Sequence, residues 1–189
     1  NLDKKRGTLL DLTAYFRDFE LSPFNPFLEG VFYNLRGTMS GQVKIDGSVT
    51  DPLMDGELTL HKAGVGITYL KLNTDIQEGA RIKVNNKTFD IDNWLLTDTA
   101  YKTQAKLNGS IRHNKLLDWF LDLRLQTLGK RFMVLNTPYT DDALFYGTAF
   151  IKGNASIKGA LDEIAIKVNA KTEEGTSFKI TLSDSESAG

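Results

Sequence analysis

The chain has 189 residues, of which 41% are hydrophobic and 25% are charged, and its formal net charge is -1. This composition is that of an ordinary globular protein, and the scattered Lys and Arg residues leave no basic patch for nucleic acid. The absence of cysteine excludes disulfides and thiolate chemistry, and no segment reaches the roughly 18 apolar residues of a membrane-spanning helix.

The first predicted element is a short amphipathic helix near residues 25–36. Asn25 is a candidate cap, Pro26 suits the first helical position, and Gly37 follows the end. Its apolar side chains on one face would be those of Leu28, Val31, Phe32 and Leu35.

From residue 40 onward, apolar residues recur at every second position, which is the period of a β-strand. The clearest alternating runs are Val43, Ile45 and Val49; Leu58 and Leu60; Ala105, Leu107 and Ile111; Trp119, Leu121, Leu123 and Leu125; and Ile164, Ile166 and Val168. Charged and polar residues fill the positions between them. The pattern therefore predicts an all-β protein whose strands each have one apolar face.

An internal repeat divides the chain into similar units. Residues 42–51 align with residues 154–162 and, more loosely, with residues 104–113. In the first and last copies the apolar positions change from odd numbers before the turn to even numbers after it, which predicts a hairpin in each copy. Glycines at positions such as Gly41, Gly153 and Gly159 lie on the apolar face and predict bends or a close approach to the backbone.

The stretch from Thr127 to Ala143 mixes apolar and turn residues and predicts an irregular connection with room for a helical turn.

Catalytic and metal-binding motifs are missing from the sequence. The two histidines, His61 and His113, belong to different repeats and have no neighbouring ligand at metal-site spacing. No phosphate-binding glycine loop and no nucleophile elbow are present, so we expect neither an enzyme nor a cofactor or metal site. A glycoside hydrolase remains an alternative, because its two facing carboxylates could come from the 24 Asp and Glu residues of the chain.

The apolar faces have two interpretations. Two sheets can bury each other in an ordinary sandwich core, or one curved sheet can line a groove for lipid chains. Alternation of apolar residues is compatible with both.

The segment from Gly41 to Leu60, GQVKIDGSVTDPLMDGELTL, resembles a repeat of the TamB and AsmA-like envelope proteins. The segments FYGTAFIKG, residues 145–153, and AKTEEGTSFKI, residues 170–180, resemble the C-terminal TamB domain of Bacteroidetes-type sequences. The resemblance covers about residues 24–182. The second and third copies lack the Asp51-Pro52 pair of the first.

The resemblance implies a U-shaped groove of repeated antiparallel hairpins, called a β-taco, in a protein that is anchored in the inner membrane and crosses the periplasm. Phospholipid acyl chains would move along the groove towards the outer membrane. Residues 1–182 would be one continuous segment of a larger protein and residues 183–189 a polar tail. The residues expected to line the groove are Val43, Ile45, Leu58, Leu60, Leu107, Ile111, Trp119, Leu121, Leu123, Leu125, Ile151, Ile157, Ile164, Ile166 and Val168. Trp119 is expected near a rim.

Two further functions stay open at this point. TamB relatives have also been linked to the assembly of outer-membrane β-barrel proteins with an outer-membrane barrel partner, which would use exposed sheet edges for β-augmentation. A purely structural spacer is the other possibility. We also expect the segment to be able to self-associate through its sheet edges.

Overall fold

A computed structural model describes residues 8–182, and the expected polar tail at residues 183–189 lies outside this range. The strands are β1 (Leu12–Glu20), β2 (Phe32–Ser48), β3 (Asp51–Ile67), β4 (Leu72–Ile76), β5 (Arg81–Asn86), β6 (Thr88–Asp98), β7 (Gln104–Asn114), β8 (Asp118–Thr127), β9 (Phe132–Thr137), β10 (Phe145–Ala160), β11 (Glu163–Thr172) and β12 (Ser177–Ile180). A 3-10 turn (Ser22–Phe24) and one short helix, α1 (Asn25–Leu28), separate β1 from β2.

All twelve strands belong to one antiparallel sheet. Its main path runs β1-β2-β3-β4-β6-β7-β8-β10-β11, while β5 lies between β3 and β6, and β9 and β12 pair with β10. The first and last copies of the repeat span the turns of the hairpins β2–β3 and β10–β11, and the second copy forms the first strand of the hairpin β7–β8. The predicted all-β fold of repeated antiparallel hairpins with one short helix is therefore confirmed.

The sheet curves around its apolar face. Leu58, Ile91 and Leu123 are only 5%, 6% and 5% exposed, although every strand within residues 8–182 belongs to this sheet. Outside the strands, only Leu21 and Ala80 of residues 8–182 are buried apolar residues in the main core cluster, and residues 22–28 contribute no buried side chain. Because a flat single sheet would expose one of its faces, the side chains of this sheet must cover each other, which requires curvature.

The predicted helix is shorter than expected, because it ends at Leu28 and not near residue 36. Asn25 does not cap it. Its side chain instead accepts a hydrogen bond from the backbone N–H of Leu35 and donates one to the C=O of Leu35, at 2.8 Å each. These bonds fix the start of β2, and Gly30 reverses the chain with a φ of +91°. Phe32 and Leu35 are therefore strand residues.

The connection from Thr127 to Ala143 also differs from the expectation, since it contains β9 and no helix. Phe132 and Met133 of β9 are 0% and 1% exposed and pack with Leu72, Ala105 and Phe150. Both faces of β9 are buried. A strand of that kind has a continuous apolar sequence. A pattern of alternating apolar residues therefore could not predict β9.

The glycines of the repeat are needed for their backbone conformation. Gly109 has a φ of +138°, and a Cβ on this residue would collide with the carbonyl oxygen of Asp122 on β8. A side chain at this position would therefore strain the backbone and push β7 away from β8.

We predict that Gly109→Ala lowers the free energy of unfolding by about 1–3 kcal/mol, the usual cost of such strain. Denaturant titration followed by circular dichroism measures the change. The neighbouring substitution Ser110→Ala is the control and should change stability by less than about 0.5 kcal/mol. Equal effects of the two substitutions would contradict the assigned role of Gly109.

Candidate functional site

The candidate site is the apolar face of the sheet, which we define by two rows of side chains that cross it. In each row every residue lies directly opposite the next one on the neighbouring strand. The first row consists of Phe16, Gly41, Leu58, Ile82, Ile91, Gly109, Leu123, Ile157 and Ile166. The second consists of Ala14, Val43, Gly56, Val84, Phe89, Ile111, Leu121, Gly159 and Ile164. Neither row contains a polar residue.

All fifteen residues predicted to line a groove lie on this face. Eight of them are in the two rows. The other seven lie an even number of positions along the same strands, so their side chains point to the same side. These seven are Ile45, Leu60, Leu107, Trp119, Leu125, Ile151 and Val168.

Burial on the apolar face decreases towards the β11 edge. The buried members of the predicted set are Val43, Leu58, Leu60, Leu121, Leu123 and Ile151. Those of intermediate exposure are Ile45, Leu107, Ile111, Trp119, Leu125, Ile157 and Ile164. Ile166 and Val168 on β11 are 41% and 58% exposed. The centre of the face is therefore filled by its own side chains, and its β11 edge is open to solvent.

Sequence patterns missed the part of the face that β5 and β6 provide. Ile91 and Trp94 are both buried on it, yet they are three positions apart, which breaks the alternation. The pairing with β7 shifts between these two residues, and Asn93 has a φ of +51°. This β-bulge returns the following side chains to the apolar face. The other missed residues are Ile82, Val84, Phe89 and Leu96.

One end of the apolar face carries a cluster of aromatic and charged residues. His113 is 1% exposed and its ring lies 5.3 Å from that of Trp119 and 6.2 Å from that of Phe89, centroid to centroid. Lys87 and Asp51 form an ion pair with 2.9 Å between Nζ and Oδ1. Trp119 is partly exposed at this end of β8, near the hairpin turn.

His113 is held in one tautomer. Its Nδ1 accepts a hydrogen bond of 3.1 Å from the backbone N–H of Leu116, so the proton of the neutral ring is on Nε2. The Nε2 atom is buried and has no hydrogen-bond partner within residues 8–182. Burial, and to a lesser degree the positive charge of Lys87, lower the pKa of His113 below its ordinary value, while Asp51 partly opposes the shift.

The opposite, polar face carries a cavity of about 550 Å³ whose charged lining residues are Glu57, Arg81, Lys83, Asp90 and Asp92. Charges of both signs alternate there. Across residues 8–182, no group of three His, Cys, Asp or Glu residues is arranged to hold a metal ion. Within the same range, no helix has the length and apolar character needed to cross a membrane.

Comparison with protein-family models shows which family the chain is related to. The model of the TamB C-terminal domain matches residues 92–189, about half of the chain. The chain belongs to the TamB family. No curated protein and no solved structure matches it significantly. TamB proteins are cell-envelope proteins of a transport and assembly family, and the predicted membership is thereby confirmed.

The TamB match begins inside β6 and includes the β7–β8 and β10–β11 hairpins. The β2–β3 hairpin precedes it. That hairpin has the same arrangement, with Gly41 and Gly47 on the first strand where β10 has Gly153 and Gly159. The repeat thus extends the pattern of the matched domain towards the N-terminal side.

We predict that the protein loses stability as the pH falls below about 6.5, the ordinary pKa of histidine. The unfolded chain takes up a proton on His113 near this pH, whereas the folded protein does so only at lower pH. Protons therefore favour the unfolded state in this window. Chemical denaturation at pH 7.5 and pH 5.5 measures the effect.

In the variant His113→Asn this dependence on pH should become smaller. Asp51 and Glu78 also have lowered pKa values, through hydrogen bonds from Lys87 and from the backbone of Lys62 respectively. Their contributions are lost only below the ordinary carboxyl range, at about pH 4.5 and lower. An unchanged slope between pH 7.5 and pH 5.5 in the variant would contradict the role of His113.

Proposed function

We propose that this chain is a periplasmic segment of a TamB-like envelope protein whose apolar face carries phospholipid acyl chains between the inner and the outer membrane. The observation that carries the proposal is the unbroken row of apolar residues from Phe16 on β1 to Ile166 on β11, where Ile166 and the neighbouring Val168 are solvent-exposed. An acyl chain on this surface stays in contact with hydrocarbon, and each buried methylene contributes roughly 0.8 kcal/mol. The proposal requires no catalytic residue, cofactor or metal in this segment.

The proposed path runs along the open part of the face. Side chains such as Leu121 and Leu123 are 5% exposed, so a lipid at the centre would have to displace them. At β11 the apolar side chains are accessible without rearrangement. Ile164, Ile166 and Val168 are therefore the proposed first contacts of an acyl chain, and the buried members of the predicted set lie beside them on the same face.

The location is part of the same proposal. Family membership supports the cell envelope, and the proposed lipid path requires that the segment lie between the two membranes. Attachment to the inner membrane would come from parts of a longer protein outside the chain described here.

We predict that the chain acquires phospholipid from vesicles of phosphatidylethanolamine and phosphatidylglycerol, and that Ile166→Asp/Val168→Asp abolishes this binding. The two residues are 41% and 58% exposed, so the charges should leave the fold intact while they disrupt the apolar surface. Organic extraction of the re-purified protein followed by mass spectrometry measures bound phospholipid.

The matched control is Ala165→Asp/Asn169→Asp, which adds the same two charges to the polar side of the same strand. It should retain the lipid bound by the parent. If the parent binds no phospholipid, or if both double variants lose it equally, the apolar face is a closed core and the proposal is wrong.

A second candidate is assembly of outer-membrane β-barrel proteins, alone or with an outer-membrane barrel partner. The two ends of the sheet path favour it, because β1 and β11 each have a paired neighbour on one side only within residues 8–182. Such edges can receive a strand of another protein. In β1 the hydrogen bond from Leu10 N–H to Gly47 C=O places the even-numbered residues towards β2, so Thr13 and Tyr15 direct their backbone groups outward.

The substitution Tyr15→Pro removes one of these outward N–H groups and leaves the hydrogen bonds to β2 in place. If β-augmentation is the function, this variant should bind an unfolded outer-membrane barrel protein at least about fivefold more weakly in a pull-down titration, since each lost hydrogen bond contributes about 1 kcal/mol. Tyr15→Ala is the control for the loss of the side chain. Equal binding by the two variants would contradict this candidate.

A further inference from the structure

No strand within residues 8–182 pairs with the outer edge of β11, and this edge presents a regular row of backbone donors and acceptors. The N–H of Phe150 donates to Thr176 and its C=O accepts from Glu173, so even-numbered residues of β10 direct their polar groups towards β11. Their partners in the register are odd-numbered residues of β11, for example Lys167 opposite Ser156. The backbone groups that face outward are therefore those of Ile164, Ile166, Val168 and Ala170.

The internal repeat shows that this edge is an unfilled position. In the other two hairpins the second strand has a partner on both sides. Leu58 of β3 lies opposite Ile82 of β5, and Leu123 of β8 lies opposite Ile157 of β10. Both leucines are 5% exposed, whereas Ile166, in the corresponding row on β11, is 41% exposed. The edge has the geometry and the side chains to receive an antiparallel strand with apolar residues at alternate positions.

We propose that the strand which fills it is β11 of a second copy, and that two copies pair edge to edge about a two-fold axis at Ile166. In this arrangement Ile166 lies opposite Ile166 of the second copy, and Ile164 lies opposite Val168 in both directions. Each of these pairs joins residues with outward backbone groups, so each forms two interchain hydrogen bonds. Such a closed, self-complementary contact is isologous.

Strand direction favours this symmetry over a head-to-tail array. Eight antiparallel pairings separate β1 from β11 along the main path, so the two edge strands run in the same direction. Copies related by translation would therefore pair β1 with β11 in parallel, against the uniform antiparallel pattern of the sheet. Two β11 strands related by a two-fold axis pair antiparallel.

Charge and the length of the paired apolar stretch together select the register. With Ile166 on the axis, Ala165 lies opposite Lys167 and Glu163 opposite Asn169, so no like charges face each other. The register centred on Lys167 gains pairs of Glu163 with Lys171 but places Lys167 directly against itself, and it sets Ile164 against the small Ala170. The register centred on Ala165 pairs Glu163 with Lys167, but its paired stretch ends at Lys167, so Val168 has no partner in the second β11 and four interchain hydrogen bonds form instead of six. Like charges directly opposite each other destabilise a strand pair.

Pairing about an axis perpendicular to the sheet keeps both apolar faces on the same side. The row that contains Leu123, Ile157 and Ile166 would then continue into the same row of the second copy. Two segments would thus share one apolar surface. Its use as a longer lipid path rests on the proposed function, whereas the pairing itself does not.

The test is sedimentation equilibrium of the 189-residue chain and two variants at Ala165. Ala165→Lys places two lysine pairs across the interface and should raise the dimer dissociation constant about three- to tenfold, while Ala165→Glu forms two pairs with Lys167 and should lower it. Both substitutions are on the polar side of β11 and leave the apolar face unchanged. A chain that is monomeric at all concentrations, or two variants with the same dissociation constant, would overturn the proposal.

Cross-linking tests the register independently, because the chain has no cysteine. The Cα atoms of a hydrogen-bonded pair are about 5.5 Å apart, within the range of a disulfide. Ile166→Cys should therefore form a covalent dimer on mild oxidation, faster than Lys167→Cys. The reverse order would overturn the proposed register. Lipid binding by the Ala165→Lys variant, measured at a concentration at which this variant is monomeric, separates this proposal from the lipid path, since either can fail without the other.

Discussion

The arrangement of the apolar face depends on the register of antiparallel pairing. Side chains alternate between the two faces of a strand, so a shift of one residue would move every apolar side chain of that strand to the polar face. The two rows stay apolar across the strands from β1 to β11 because each pairing places an apolar position of one strand directly opposite an apolar position of the next. Where the sequence interrupts the two-residue alternation, as at Asn93, a β-bulge with a left-handed residue returns the following apolar side chains to the same face.

Glycine residues on the apolar face are also needed for this register. Gly41, Gly109 and Gly159 have positive φ values, and a Cβ on any of them would collide with a backbone carbonyl oxygen of the neighbouring strand. They also lie on the apolar face, where they alternate with large side chains. Ile157 and Ile164, for example, are neighbours of Gly159 along and across the strands. The glycines thus permit curvature and leave space for the adjacent side chains, which explains their regular spacing in the sequence.

Alternation in the sequence was sufficient to predict the strands with uninterrupted periods, such as β7 and β8, and to assign all fifteen selected residues to one face. It failed where a tertiary contact overrides the local pattern. Asn25 has the features of a helix cap, but it bonds to Leu35 ten residues away. β9 is buried on both sides, so its sequence does not alternate. Alternation also cannot reveal what covers an apolar face, because burial by the same sheet and contact with lipid require the same residue types.

The difference between the centre and the edge of the apolar face connects the two proposals. At the centre, tightly packed leucines contribute stability, and a lipid chain would have to replace contacts that already exist. At β11, Ile166 and Val168 are exposed and contribute little until something covers them. Strand pairing at this edge would satisfy the outward N–H and C=O groups of β11 and cover one flank of these side chains, while their outer ends would stay on the apolar surface. Backbone pairing and lipid contact therefore use different atoms of the same residues, and a paired edge would give an acyl chain a broader apolar surface than one copy provides.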